Sequence, residues 1–173
     1  TYMDTPFYEQ LQYIGDTRIQ AMVSLYNSGD DRLVKNALNL MDYSRQRDGV
    51  TLSRYPTASE NQVIAPFSLF YIGMLYDYMM YGSDGAFIKD KLPGARQVMN
   101  FFIGLQDTDG SLKNVSGWNF TDWVPAWTKG RGVAPIGNDG SSAVLDLQLL
   151  LGFQAAEKLE ENLGRKEFAT LYA

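Results

Sequence analysis

Three carboxylates lie close together at the start of the chain, just before a predicted helix. Asp4, Glu9 and Asp16 are five and seven positions apart (4 to 9 to 16). The same segment carries four aromatic residues, Tyr2, Phe7, Tyr8 and Tyr13. Neighbouring negative charges and apolar walls raise the pKa of a carboxyl group, so one of the three can keep its proton while the others stay ionised. An acid beside acceptors for hydroxyl groups suits carbohydrate chemistry; the alternative is three solvated acids at the mouth of a helix.

A second cluster holds all three tryptophans of the chain. Trp118, Trp123 and Trp127 fall within one predicted loop, with Asp122 among them. Packing explains a tryptophan in a helix interface more readily than three in one loop. Aromatic faces stack on the apolar side of a sugar, and an aspartate between them accepts hydrogen bonds from hydroxyl groups. We therefore predict that Trp118, Asp122 and Trp123 bind substrate, and that Trp127 packs in the core.

The composition limits the classes of function that the chain can have. Of its 173 residues, 45% are hydrophobic and 20% are charged, which predicts one domain with a sizeable core. A formal net charge of −5, with no basic cluster, argues against a nucleic-acid partner. The chain has no histidine and no cysteine, so acid–base chemistry must use carboxylates and a thiolate metal site is excluded. We expect no cofactor and no metal, and the absence of a long apolar run predicts no membrane partner.

The elements that position these residues are predicted to be helices. Apolar periodicity predicts them over about 15–27, 31–46, 66–81, 84–91, 92–105 and 141–163, and from 165 onward. Pro66 suits the first turn of the third, which is apolar almost all round and should be an inner helix. Two long loops, 47–65 and 111–139, recur between them. Paired helices with long loops at one end indicate stacked αα-hairpins, which make an α/α toroid when they close into a ring.

The run from Asp4 to Asp16, D-T-P-F-Y-E-Q-L-Q-Y-I-G-D, resembles the signature of glycoside hydrolase family 78, the α-L-rhamnosidases. Further stretches are similar in order to the catalytic barrel of that family: G-D-T-R-I-Q, S-R-Y-P, P-F-S-L-F-Y, D-G-S-L and W-N-F-T-D-W. The resemblance covers essentially the whole chain. It implies an all-α (α/α)6 barrel, of which residues 1–173 would be the N-terminal half of the catalytic domain. The remainder of the barrel would lie in the parent chain.

The resemblance also implies an activity and roles for single residues. The enzyme would hydrolyse terminal α-L-rhamnose from glycans or glycosides with inversion, and Glu9 would be its general acid. Asp4, Asp16 and Tyr13 would bind the sugar. The family usually has an arginine where this chain has Tyr8, and a tryptophan in place of Tyr13. The second carboxylate of an inverting enzyme is expected after residue 173, so this chain alone should be inactive.

The sequence leaves several alternatives open. Arg54 could reach the pocket or cap a helix end, and we interpret Glu60 as an exposed loop acid rather than as the missing base. A toroid that binds carbohydrate without turnover would have the same fold, and so would a barrel glycosidase with another sugar specificity. The expected substrate is a rhamnosyl glycan or glycoside. A glycan-degrading role favours a periplasmic or extracellular location.

Overall fold

The computed structural model of the chain describes residues 1–127 and 130–173. Its six α-helices within those ranges are α1 (Ile14–Ser28), α2 (Arg32–Tyr43), α3 (Ala65–Tyr81), α4 (Gly85–Ile103), α5 (Ala143–Leu163) and α6 (Lys166–Tyr172). The β-structure of this part consists of isolated bridges. The predicted all-α class is confirmed. None of the helices so described is long and apolar enough to cross a membrane.

Helix α3 forms the centre of the fold, as its sequence predicted. It packs against α1, α2, α4 and α5, and buried residues occur on every side of it. A helix that is apolar all round must be enclosed by its neighbours, because any exposed face would leave apolar surface in water. Pro66 lies in its first turn, where its missing N–H has no helical partner to lose.

Helices α1 and α3 run in the same direction. Gly15, at the start of α1, lies against the ring of Phe67 near the start of α3, and Arg18 lies over Gly73 further along both helices. This order gives a parallel pair. The close approaches are possible because neither glycine has a Cβ atom to meet its neighbour.

Helix α5 is parallel to this pair. Its Gly152 lies against Leu69 of α3, and further along both helices Lys158 and Tyr76 line the same groove. The starts of α1, α3 and α5 therefore lie at one end of the molecule, which we call the loop end. The chain enters all three helices from that end.

Helix α2 runs in the opposite direction to α3. Tyr78, near the end of α3, donates a hydrogen bond to Asp31 just before α2. Tyr71, nearer the start of α3, donates to Asp42 near the end of α2 at 3.0 Å. The second helix thus returns the chain toward the loop end, which is the arrangement of an αα-hairpin.

Helix α4 is continuous where the sequence predicted two helices that break near Leu92. Pro93 lies inside it and removes the hydrogen bond that an N–H would donate to the carbonyl of Lys89. Both Lys89 and Pro93 are exposed, so water can satisfy that carbonyl. The buried stripe continues from Ile88 through Leu92 to Phe102, and this packing outweighs the local preference of proline.

Candidate active site

The carboxylate segment folds into a closed loop ahead of α1. The backbone N–H of Asp4 donates to the carbonyl of Leu11 at 2.8 Å, and the N–H of Leu11 donates to the Asp4 carboxylate at 2.9 Å. Asp4 therefore closes the loop from both sides. Glu9 lies between these linked ends, and its side chain is exposed, so its carboxyl group is accessible.

Asp16 lies in the first turn of α1. Partial burial raises its pKa, a hydrogen bond from its own backbone N–H lowers it, and the charges of Asp4 and Glu9 raise it. Its side chain still reaches solvent. Asp16 is therefore within electrostatic range of both Asp4 and Glu9.

The aromatic residues of the segment divide between core and surface. Tyr2 is buried, and its hydroxyl donates to Ser24 of α1 at 2.7 Å. Phe7 and Tyr8 are each 79% exposed, and their rings pack edge to face with centroids 5.2 Å apart. Within the described residues, Glu9 is thus not enclosed by neighbouring rings, and the expected aromatic wall around it is absent there.

Tyr13 immediately precedes α1 and is fixed by Arg54. The guanidinium lies 5.4 Å from the centre of the Tyr13 ring and donates to its hydroxyl at 2.6 Å. The two backbones also meet in an isolated bridge. Arg54 belongs to the loop between α2 and α3, so this contact brings that loop beside the carboxylate segment. Glu60 of the same loop is exposed, as predicted.

The tryptophan loop, residues 118–123, is built around Phe120. The ring of Phe120 lies 5.3 Å from that of Trp118 and 4.9 Å from that of Trp123. Trp118 packs against the core, and its indole N–H donates to the carbonyl of Arg131 at 2.9 Å. Trp118 therefore stabilises the loop, whereas Trp123 is 66% exposed and presents most of its ring to solvent.

Asp122 is the acidic member of the tryptophan loop. Its side chain is exposed, and its carboxylate accepts a hydrogen bond from the backbone N–H of Trp123 at 2.7 Å. That bond fixes the carboxylate next to the exposed indole. Trp127, which we predicted to lie in the core, is half-buried.

Phe67 connects the carboxylate segment with the tryptophan loop. Its ring centre is 6.0 Å from that of Phe120, and its edge lies on Gly15, where a Cβ atom would meet it at 3.1 Å. Gly15 directly precedes Asp16. Two segments that are far apart in the sequence thus lie at the loop end of the helices. Sequence reasoning missed Phe67 itself, although its place in the first turn of a predicted inner helix was the available signal.

A groove of about 470 Å³ runs along α3 between α1 and α5. Arg18 lines it and forms an ion pair with Asp77 at 2.7 Å. The groove begins at Pro66, next to Phe67, and extends away from the loop end as far as Lys158. None of the predicted site residues lies among the described residues that line it.

Comparison with known proteins gives one family and several solved structures. The model of the bacterial alpha-L-rhamnosidase six-hairpin glycosidase domain matches residues 1–172. A GH78 family rhamnosidase of Bacillus sp. GL1 is 27% identical with a TM-score of 0.85, over 100% of this chain and 17% of that chain. A rhamnosidase from Klebsiella oxytoca with rhamnose bound is 24% identical with a TM-score of 0.83, over 99% of this chain and 32% of that one.

The alpha-L-rhamnosidase from Dictyoglumus thermophilum is 19% identical with a TM-score of 0.77, over 98% of this chain and 18% of that one. At this identity the likeness concerns the fold. No curated protein matches the chain. The chain therefore spans between 17% and 32% of the length of these solved chains.

Proposed function

Because the chain belongs to the family of bacterial alpha-L-rhamnosidase six-hairpin glycosidase domains, we propose that it supplies the acid side of an active site that hydrolyses terminal α-L-rhamnose. Its helices are part of a six-hairpin (α/α)6 domain. The six described helices would make three of those hairpins, so residues 1–173 would be the N-terminal half. The remainder of the barrel, in the parent chain, would close the ring and complete the site.

The observation that carries the proposal is the shared contact with Phe67, which holds the carboxylate segment and the tryptophan loop at the same end. In a ring of αα-hairpins, loops at one end converge on the central cavity. A rhamnose residue in that mouth would have acidic groups on one side and an exposed indole on another. This combination suits a neutral sugar with both hydroxyl groups and an apolar face.

Glu9 would act as the general acid. Its carboxyl proton would pass to the glycosidic oxygen as the bond from that oxygen to the anomeric carbon breaks. A carboxylate from the remainder of the barrel would take a proton from water, and that water would attack the anomeric carbon from the opposite face. The product would be rhamnose of inverted configuration. Support comes from the accessible side chain of Glu9 on a hydrogen-bonded loop.

The other predicted residues would bind the sugar. Asp16 and Asp4 would accept hydrogen bonds from hydroxyl groups, and Tyr13 would contact the methyl group of rhamnose with its ring face. In the tryptophan loop, Trp123 would stack on the apolar face of the sugar while Asp122 binds a hydroxyl group. We expect Trp118 to act by supporting Trp123, since its own N–H and much of its ring are used within the loop.

The test is hydrolysis by the full-length protein of p-nitrophenyl α-L-rhamnopyranoside, against a panel of other p-nitrophenyl glycosides. We expect turnover of the rhamnoside, with β-rhamnose as the first product in NMR spectra. Rhamnose binding without turnover would instead support a carbohydrate-binding toroid, and preference for another glycoside would support a different specificity. Residues 1–173 alone should show no turnover, because the second carboxylate would lie in the remainder of the barrel.

A further inference from the structure

We propose that Arg54 is a positioning residue, which fixes the hydroxyl group of Tyr13 so that its proton is donated to a hydroxyl oxygen of rhamnose. The same sugar hydroxyl would donate its own proton to Asp16. The inference rests on the proposed function, because it takes Tyr13 and Asp16 as residues that bind the sugar. It adds a directed hydrogen bond to the ring contact proposed for Tyr13 above.

The direction of the hydrogen bond between Arg54 and Tyr13 follows from the chemistry of the two groups. A guanidinium only donates, so the hydroxyl oxygen of Tyr13 accepts from Nη1 of Arg54 at 2.6 Å. The hydroxyl proton of Tyr13 is not used in that bond. Within residues 1–127 and 130–173 it is donated to no protein group. Because Tyr13 is only half-buried, this proton is available to a ligand.

Arg54 is held in place by contacts on both its backbone and its side chain. Its backbone meets that of Tyr13 in the isolated bridge, and beside it the N–H of Ile14 donates to the carbonyl of Ser53 at 3.0 Å. Nη2 of Arg54 donates to the carbonyl of Glu60 at 3.5 Å. The Tyr13 hydroxyl is therefore oriented before a sugar arrives, which lowers the entropy cost of binding.

The guanidinium of Arg54 costs stability where it lies and strengthens Tyr13 as a donor. Its Nε–H is buried and has no hydrogen-bond partner among the residues that the structure describes. A buried donor without a partner is unfavourable, and such groups are typical of functional sites. By donating to the oxygen of Tyr13, the charged guanidinium polarises the O–H bond, so the proton makes a stronger hydrogen bond with a sugar oxygen.

Asp16 identifies the kind of group on the sugar that would receive this proton. Tyr13 is the N-cap residue of α1, and Asp16 is the third residue of that helix; groups at these two positions lie close together. An ionised carboxylate only accepts, whereas Tyr13 has a proton to donate. A sugar hydroxyl both donates and accepts, so one hydroxyl can bind both residues. The ring oxygen, which has no proton, would bind Tyr13 alone.

The experiment uses the full-length protein with Tyr13→Phe, Arg54→Met and the double variant. For p-nitrophenyl α-L-rhamnopyranoside we expect each single variant to raise KM about 3–10-fold, with kcat changed less than about twofold, since one hydrogen bond to the bound sugar is lost. The double variant should lose no more than Tyr13→Phe alone, because Arg54 acts through the hydroxyl that phenylalanine lacks.

Substrates that lack one hydroxyl group identify the acceptor. They are p-nitrophenyl rhamnosides without the 2-, 3- or 4-hydroxyl group. On one of them Tyr13→Phe should change kcat/KM less than about twofold, because the partner of the Tyr13 hydroxyl is gone. Asp16→Asn should lose its effect on that same substrate. On the others, both variants should lose as much as they do on the complete sugar.

Arg47→Met and Tyr43→Phe are the matched controls, since both side chains are exposed and Arg47 belongs to the same loop as Arg54. Neither variant should change any constant. Thermal unfolding identifies a variant that fails to fold. If Arg54→Met fails, Arg54→Lys replaces it, because lysine keeps the charge but not the planar group. Its loss should again be absent when Tyr13 is already phenylalanine.

Multiplied losses in the double variant would overturn the positioning role of Arg54. Equal sensitivity of all the deoxy substrates to Tyr13→Phe, or a loss of effect of Tyr13→Phe and Asp16→Asn on different substrates, would overturn the shared hydroxyl group. Unchanged constants in an active Tyr13→Phe enzyme would overturn the inference while sparing the proposed function. A wild-type enzyme without rhamnosidase activity would overturn both.

Discussion

At the loop end of the helices the charges of Asp4 and Glu9 act against the charge of Asp16, whereas at the opposite end Asp31 and Asp84 share the ammonium group of Lys35. The Lys35 nitrogen lies 3.3 Å from Asp31 and 3.0 Å from Asp84, and the hydroxyl of Tyr78 donates to Asp31. Hydrogen bonds from Tyr78 and Lys35 lower the pKa of Asp31. At the loop end the pKa of Asp16 is raised instead.

The difference distinguishes a region whose charges are paired, which stabilises the fold, from the region that we propose to be the active site. The network at the opposite end joins the start of α2, the end of α3 and the start of α4, and each of its charges has a partner. Burial and the charge of Asp31 raise the pKa of Tyr78 to about 12, so its hydroxyl stays a donor at physiological pH. The loop end keeps like charges together and aromatic rings exposed, which costs stability and is typical of functional sites.

The largest effect that would test this contrast is on catalysis. Glu9→Gln keeps the shape of the side chain and removes its acidic proton, so turnover of unactivated rhamnosides by the full-length protein should fall by about two to four orders of magnitude. Substrates with good leaving groups should lose less, because they need less protonation. Glu60→Gln, an exposed acid of a neighbouring loop, should leave turnover unchanged. An equal loss on both kinds of substrate would contradict the acid role.

The next effect concerns stability at the opposite end. Tyr78→Phe removes a hydroxyl that donates to the charged Asp31, and we expect the free energy of unfolding to fall by about 1.5–3 kcal/mol. Chemical denaturation of the full-length protein measures this change. Tyr43→Phe removes an exposed hydroxyl and should change nothing. If Tyr78→Phe lowers rhamnosidase activity but not stability, the division between the two ends is wrong.

A smaller effect is expected for sugar binding at the tryptophan loop. Trp123→Ala should raise KM for rhamnosides about 5–20-fold, because it removes an exposed indole face for stacking. Tyr26→Ala, an equally exposed aromatic at the end of α1, is the control at the opposite end. Steady-state kinetics compare the two. A similar change in both variants would show that the effect is not specific to the loop end.

The smallest effect is a pH dependence of opposite sign at the two ends. The raised pKa of Asp16 gives stability that is fully present below the unfolded pKa, near 4, and is lost as the pH rises through the folded value. Asp16→Asn should therefore stabilise the protein at pH 7 by roughly 0.5 kcal/mol, since water screens a side chain that reaches solvent. The gain should vanish near pH 3.

Asp31→Asn should behave in the opposite way. Its lowered pKa gives stability that is present above the unfolded pKa and is lost as the pH falls through the folded value. This variant should be less stable than the wild type at pH 7, and the difference should shrink on acidification. Thermal unfolding between pH 3 and pH 7 measures the stability of both variants relative to the wild type. If this stability difference changes with pH in the same direction for both variants, the contrast between the two ends is wrong.

The sequence predicted the helices well because their apolar stripes dominate local preferences. The predicted span 66–81 differs by one residue from α3, and 141–163 begins two residues before α5, with Ser142 accepting the first hydrogen bond of that helix. The number of helices was predicted wrongly only at α4, where two helices were expected and one is present. Pro93 locally favours a break in the helix. The apolar residues from Ile88 to Phe102 are buried against other helices, and the sequence does not reveal these tertiary contacts.

For the site, the spacing of the carboxylates agrees with the effect of Asp4 and Glu9 on Asp16, but it did not predict what surrounds them. Tyr2 donates a hydrogen bond to Ser24, and Trp118 donates one to the carbonyl of Arg131. Both bonds depend on tertiary contacts, which the sequence does not reveal. Aromatic residues near an acid therefore need not form its walls. The roles of Glu9 and of the other site residues stay predictions that the experiments above can decide.

The common direction of α1, α3 and α5 has an electrostatic consequence for the acidic mouth. The aligned peptide dipoles of a helix act as about half a positive charge at its start, and all three starts lie at the loop end. Asp16 lies in the first turn of α1, where this effect is strongest. Within residues 1–127 and 130–173, the ion pairs include none of Asp4, Glu9 and Asp16. The backbone itself thus offsets part of the charge of Asp16, which we propose to bind the sugar.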